Sequence, residues 1–508
     1  MTLSAFPRLV SVSMASAVAI GLIVGIGAAP PASATPCEAP EANIEPPATA
    51  APVPAPAPVV RPPTGRRPSN TNDHAPLPKL GPLISSLLRP GTTRYSAPKE
   101  NQSQVVPRAE GTQPGPNPPQ PGAQPPPNAT QLRPNAAPQP APQPAPQPAP
   151  QPAPEAGPPP SIAGAPTSLV DWVTGVNGPN KTLERFGISG TDLGIAWDNG
   201  DPANRQVLMA FGDTFGYCRV HGQQWRYNTL FRSSDHDLSH GIHVAQGSAT
   251  DRYAGSPSYP SGLSRQIINT MKRAPHETGI IPTAGISIGR TQLVNFMSIR
   301  EWVRDGDWRT NFSAIAMSRD NGQTWGVYPG TIRPADPEGV PGAKFVPGNE
   351  NFQMGAFMKG TDGYLYSFGT PSGRGGAAHL ARVQPQFVPD LSKYQYWNGD
   401  GEGHWVAADP GAATPVIPGP VAEMSGQYNS YLKQYLVLYT NGANDVVART
   451  APAPQGPWSP EQLLVSSFQM PGGIYAPMIH PWSSGKDLYF NLSLWSAYDV
   501  MLMHTVLP

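Results

Sequence analysis

From about Leu169 onward, short apolar runs alternate with clusters of Gly, Asn, Asp and Pro, and no stretch sustains the apolar repeat of a long amphipathic helix. Such apolar or alternating runs predict strands, and the strands fall into threes. The first group is Asp192–Trp197, Gln206–Phe211 and Asn228–Arg232, and the second is Ala284–Ile288, Gln292–Arg300 and Ser313–Ser318. The third is Gln353–Lys359, Tyr364–Gly369 and Ala378–Val383, and the fourth is Gln427–Tyr431, Tyr435–Tyr439 and Asp445–Thr450. Ile474–Ile479, Asp487–Leu492 and Asp499–His504 make the fifth. Five antiparallel meanders in series predict an all-β fold, a five-bladed β-propeller, in which a fourth, outer strand of each blade is too irregular to read.

A turn motif supports the repeat. Ser318-Arg319-Asp320-Asn321-Gly322-Gln323-Thr324-Trp325 matches the Asp-box, S-x-D-x-G-x-T-W, of sialidase-like propellers. Ser318 and Asp320 are suited to bond turn amides, Gly322 to a positive φ, and Trp325 to packing between blades. A degenerate copy, Ser233 to His240, follows the third strand of the first group. Both Asp320 and Asp235 are therefore expected to be structural.

The first third of the chain is different. Residues 1–34 carry one basic residue, Arg8, an apolar run to Ile26 and the small-residue site Ala32-Ser33-Ala34, the pattern of a cleaved secretory signal peptide. Residues 35–166 hold more than half of the chain's 68 prolines, one aromatic residue, Tyr95, and the repeat QPAPQPAPQPAPQPAP. Such a segment cannot bury enough apolar surface to offset its ordering entropy, so a disordered, locally stiff spacer is expected. Residues 167–508 are left as the folded domain of a secreted, cell-envelope protein, with no membrane span once the signal is cleaved.

Net charge is zero and no basic stripe appears, which disfavours nucleic acid as a partner. Of the two cysteines, Cys37 falls in the spacer, so Cys37 and Cys218 are expected to be unpaired. No metal constellation stands out; His236 and His240 with Asp235 and Asp237 read as a solvated turn, and no cofactor is expected.

Two aspartates stand out within apolar runs, in Gly190-Thr191-Asp192-Leu193-Gly194 and Phe211-Gly212-Asp213-Thr214-Phe215. Asp192 begins the innermost strand of the first blade and Asp213 ends the next. Antiparallel pairing sets the start of one strand beside the end of its neighbour, so both carboxylates should reach the same channel rim. Two acids at a channel mouth are the minimum equipment for glycoside hydrolysis, one to protonate the leaving oxygen and one to attack or to activate water. A pair of turn caps is the structural alternative.

Several segments, GTDLGIAWD, FGDTFG, WRYN, MSIREW, SRDNGQTW and LYFNLSLWSAYDV, resemble a family of secreted actinobacterial proteins long filed as a domain of unknown function and now associated with endo-D-arabinanase activity. The resemblance runs from about Leu169 to Pro508. It implies a five-bladed propeller that hydrolyses internal D-arabinofuranosyl bonds of arabinogalactan and lipoarabinomannan, with Asp192 and Asp213 as the catalytic acids. A monomeric enzyme acting on cell-wall arabinan is therefore expected; a non-catalytic glycan-binding or scaffold propeller is the rival. Arg226 and Asn228 are candidates to bond sugar hydroxyls or to tie strand ends. Glu301, Glu423 and Asn429 are further substrate-binding candidates, Glu301 competing with a rim salt bridge to Arg300 or Arg304.

Overall fold

The computed structural model describes residues 164–304 and 307–508. The expected signal peptide and nearly all of the spacer, with Cys37, lie outside the described residues. Among those residues, five antiparallel sheets form five blades. Blade 1 is β2 (Leu193–Asp198), β3 (Val207–Phe211) and β4 (Thr229–Ser233). Blade 2 is β5 (Gly279–Ile288), β6 (Thr291–Arg304), β7 (Asp307–Ser318) and β8 (Gly326–Pro334). Blade 3 is β9 (Met354–Lys359), β10 (Leu365–Thr370), β11 (Ala378–Val383), β12 (Gln395–Asn398) and β13 (His404–Ala407), with β14 (Pro415–Ile417) against β11. Blade 4 is β15 (Met424–Asn429), β16 (Gln434–Thr440), β17 (Val446–Ala451) and β18 (Gln462–Val465). In blade 5, β19 (Ile474–Ile479), β20 (Asp487–Leu494) and β21 (Asp499–Val506) are completed on the outside by β1 (Thr167–Trp172).

The innermost strands β2, β5, β9, β15 and β19 each touch the next, and β19 returns to β2, so the ring closes. Each interblade seam buries its own apolar cluster. Leu208 and Leu230 meet Ile280 and Trp325 between blades 1 and 2, and Ile286 and Ile315 meet Phe357 and Leu365 between blades 2 and 3. Phe368 and Leu380 meet Val437 and Tyr439, then Leu438 and Val446 meet Phe490 and Leu492, and Met209 and Phe231 meet Val500 and Leu502. Strands buried on both faces in this way read as near-continuous apolar runs, which is why the triplets are visible in the sequence.

The structure differs from the sequence reading in three places. The inner strand of blade 4 starts three residues earlier than expected and ends two residues earlier, where Asn429 accepts the amides of Tyr431 (3.0 Å) and Leu432 (2.9 Å) in a turn. The hairpin of blade 2 is longer than expected at one end, where β5 passes through a register shift at Pro282–Ala284 that interrupts the alternation. Cys218 is disulfide-bonded, not free as expected, and no free cysteine is found among the described residues.

The Asp-box folds as its residues require. Ser318 Oγ bonds Asp320 Oδ1 (2.7 Å) and accepts the Gly322 amide (2.8 Å), while Asp320 accepts the Thr324 amide (2.8 Å) and hydroxyl (2.6 Å). Gly322 takes φ +79°, and a Cβ there would stand 2.6 Å from Leu230 of the neighbouring blade.

Candidate active site

Successive strands of a blade run in opposite directions, so β2 starts and β3 finishes on the same rim of the channel. Their pairing continues past the strand ends: Leu193 faces Phe211, and Gly190 bridges Phe215. Between these two registers Asp192 falls opposite the Gly212–Asp213 step. Gly212 donates its amide to the Asp192 carbonyl (3.1 Å), and Asp192 Oδ1 lies so close that no Cβ would fit on Gly212. One step further out, the hydroxyls of Thr191 and Thr214 bond each other (2.7 Å) and bolt the two arms together. The glycine and threonine neighbours of both acids thus have defined work: one permits close approach, the others lock it.

Both carboxylates are fully buried. Asp192 Oδ2 accepts the Tyr475 hydroxyl (2.9 Å) from blade 5, and Asp213 Oδ1 accepts the half-buried Trp225 indole N–H (3.2 Å). Trp225 is held edge-on to Tyr227, with ring centroids 4.6 Å apart. Asp192 directly precedes the inner strand of blade 1, and Glu423 directly precedes that of blade 4. The propeller repeat therefore carries Glu423 to the same rim, where it accepts a two-pronged bond from Arg374 (2.7 and 3.0 Å).

The other sequence candidates lie elsewhere or are already occupied. The Arg226 guanidinium is buried and bonds the carbonyls of Gln224 (2.9 Å), Ser264 (2.7 Å) and Gly187 (2.6 Å); burial lowers its pKa to about 9, so it stays charged at neutral pH. Asn228 donates to the carbonyls of Ile268 (3.0 Å) and Ile280 (2.8 Å) and accepts the amides of Ile267 (3.1 Å) and Ile268 (2.8 Å). Its hydrogen-bonding capacity is filled by the loop it ties to β5. Glu301 is exposed and sits 3.9 Å from Arg309, while Arg300 pairs with Asp336 (2.9 Å). Asn429 lies at the far end of β15, in the turn described above.

Tyr475, Trp225 and Arg374 were not singled out by the sequence reading. Tyr475 and Arg374 meet partners 283 and 49 residues away, which nothing local in the sequence signals, whereas Trp225 lies 12 residues from Asp213, within the WRYN segment. Another buried carboxylate, Glu277, accepts the amides of Met271 (3.0 Å), Arg273 (2.7 Å) and Ala274 (3.1 Å) and closes its own turn.

An opening lies at the other end of the channel, where the inner strands finish. It is a cavity of about 280 Å³ lined by Trp197, Ser287, Phe357, Gln427 and Ile479 among others, and neither aspartate reaches it. Among the described residues no group of three or more His, Cys, Asp or Glu side chains is arranged to hold a metal ion, and no helix is long and apolar enough to cross a membrane.

Fold and rim together define a five-bladed β-propeller with two buried carboxylates on adjoining strand ends of one blade. The chain belongs to the family described as Domain of unknown function (DUF4185), whose model matches residues 177–504. It is similar to Notoamide biosynthesis cluster protein J' of Aspergillus versicolor, at 27% identity over 329 residues, 62% of this chain and 83% of the relative. Protein J of the corresponding cluster in Aspergillus sp. (strain MF297-2) is 26% identical over 331 residues, 62% of this chain and 81% of that one. Among solved structures, a glycosyl hydrolase from Bacteroides ovatus aligns with TM-score 0.39 and 10% identity, over 68% of this chain and 94% of its own.

Proposed function

We propose that this protein is a secreted glycoside hydrolase that cleaves internal D-arabinofuranosyl linkages of cell-wall arabinan, with Asp192 and Asp213 as the reacting carboxylates. The observation that carries the reading is the pair itself: two fully buried carboxylates on adjoining strand ends at one rim of the ring, each accepting a bond from an aromatic side chain. Burying two acids on one rim is costly unless something is gained from them, and paired carboxylates gain most in acid–base chemistry. In the reaction, one carboxyl group protonates the glycosidic oxygen as the bond to the anomeric carbon breaks. Its partner either takes a proton from the water that attacks that carbon, or attacks it directly and is released by water in a second step. Both routes add one water across one glycosidic bond. The arabinan assignment is supported by the motif resemblance around the two acids.

The test is incubation of the purified chain with arabinogalactan and lipoarabinomannan, with release of oligosaccharides followed by chromatography. Asp192→Asn and Asp213→Asn should each lower the rate by about 10²–10⁴-fold with the fold retained. Proton NMR of the first product formed reads retention or inversion. Binding of the polysaccharide with no turnover, unchanged in both variants, would instead identify a glycan-binding propeller.

A further inference from the structure

A buried ion pair on blades 3 and 4 has no part in the chemistry above. Arg374 lies in the loop after β10 and Glu423 just before β15, with side chains only 10% and 6% exposed. Removing both charges from water is expensive, and an apolar pair of similar volume would hold two blades together as well or better. The charges therefore call for a role beyond cohesion. The Arg374 guanidinium carbon lies 4.9 Å from the ring centroid of Tyr475 and 5.7 Å from that of Trp308. Tyr475 also packs T-shaped with Trp495, with centroids 5.6 Å apart, and its hydroxyl reaches Asp192.

The backbone on both sides of that last bond departs from regular strand. In β19 the register shifts between Tyr475 and Met478, and Ala476 takes φ +54°. In β2 it shifts between Leu193 and Ile195, with Leu193 at φ +75°. Left-handed φ at a leucine and an alanine is strained, and such strain persists only where the surroundings enforce it. Here blade 5 enforces it on blade 1: Ser493 Oγ accepts the Leu193 amide (2.8 Å) and Asn491 donates to the Gly194 carbonyl (2.7 Å). The two bulges re-aim Tyr475 and Asp192 where their blades meet.

We infer that Tyr475 is the positioning residue of Asp192, and that Glu423 and Arg374 form a relay that holds it. Glu423 fixes the guanidinium, the guanidinium caps the phenol ring, and the phenol fixes the carboxylate, so the relay spans blades 4, 3, 5 and 1. Glu423 thus acts through Arg374 and not on a sugar hydroxyl. The inference rests on reading Asp192 as a reacting carboxylate.

The experiment compares the full chain with Tyr475→Phe, Glu423→Met, Arg374→Met/Glu423→Met and the triple variant, measuring kcat, KM and Tm on arabinan. Tyr475→Phe should lower kcat about 10–100-fold through misplacement of the carboxylate, with KM within about twofold and a modest fall in Tm, because a buried carboxylate oxygen loses its donor. Glu423→Met alone should lower Tm, because it leaves a buried guanidinium unpaired, and the double variant should recover Tm while kcat stays low. The triple variant should be no slower than Tyr475→Phe, since both changes break one relay. Recovery of kcat together with Tm in the double variant, or losses that multiply in the triple, would overturn the relay. Should the wild-type chain release nothing from arabinan, crystal structures of the same variants decide separately. A rotated Asp192 carboxylate in Tyr475→Phe and in the double variant upholds the relay, and an unmoved one rejects it.

Discussion

His480 shows how far burial alone can set the behaviour of a single side chain. It lies just past the end of β19, buried and edge-on to Trp482, with ring centroids 5.6 Å apart. Loss of hydration drives its pKa down from 6.5 to about 3, more than the nearby Asp198 charge offsets. The unfolded chain takes up this proton near pH 6.5 and the folded protein only near pH 3. Between those values the unfolded state binds more protons, so stability falls as pH falls through that window, by up to about 1.4 kcal/mol per pH unit. Urea unfolding at pH 7 and pH 4.5 should show this loss, and His480→Phe, which cannot take the proton, should show less of it. Equal losses in the two proteins would assign the acid sensitivity to other groups. Asp198 works in a different window: burial raises its pKa, but bonds from Trp482, the Gly200 amide and Arg205 outweigh burial and hold it below the usual carboxylate range. Its contribution is present above the unfolded carboxylate pKa and is lost only as pH falls below that value.

At the scale of the element, turns and strand ends divide into those that fasten the fold and those that carry the proposed chemistry. The Asp-box after β7 lies on the face of the ring away from Asp192 and Asp213, since β7 ends where β2 ends. Its bonds are internal to the turn or reach blade 1 and the segment that follows it, as when Asn321 accepts Asn199 Nδ2 (3.0 Å) and donates to Gln206 Oε1 (2.8 Å) and to the Arg252 carbonyl (2.9 Å). Asp320→Ala removes the acceptor of the Thr324 amide and should cost about 1–3 kcal/mol of stability, read as a lower urea midpoint. The rate on arabinan, measured well below the unfolding midpoint, should stay within about twofold of wild type; a large loss there would tie the turn to the rim. Much of this was legible in advance, because the bonds that shape the turn are local, joining residues two to four apart, so spacing alone specifies it. The two aspartates were legible for a related reason, as depleted residues at matching ends of paired strands. Arg226 and Asn228 take the second of the two roles the sequence offered them, tying strand ends: folding commits their donors to carbonyls of the 264–268 segment, 38 to 40 residues away. Tyr475 stands 283 residues from Asp192, and only closure of the ring brings them together.

That closure is the property of the whole molecule on which the rim depends. A propeller has no end until its last blade is joined to its first segment, and here the join is β1 on the outside of β21. Five residue pairs, from Thr167–Thr505 to Trp172–Met501, make the ladder, with a register shift at Leu169–Asp171. The irregularity hides β1 from a period-two reading, and Leu169 is exposed, so the strand has little hydrophobic signature of its own. Its value lies in position: Val170 packs against the seam of blades 1 and 5, and Trp172 against the seam of blades 4 and 5. Losing it would strip hydrogen bonds from β21 and uncover both seams that flank the Tyr475–Asp192 contact. At about 0.5–1.5 kcal/mol per hydrogen bond, a chain starting at residue 175 should be several kcal/mol less stable than one starting at residue 164. Because β21 pairs along its length with β20, and β20 with β19, loosening the outer edge is transmitted inward to Tyr475. The shorter chain should therefore lose activity at temperatures where circular dichroism still reports folded strand. Activity and unfolding that decline together, at one lowered midpoint, would mean that β1 contributes stability alone and that the inner ring holds its geometry without it.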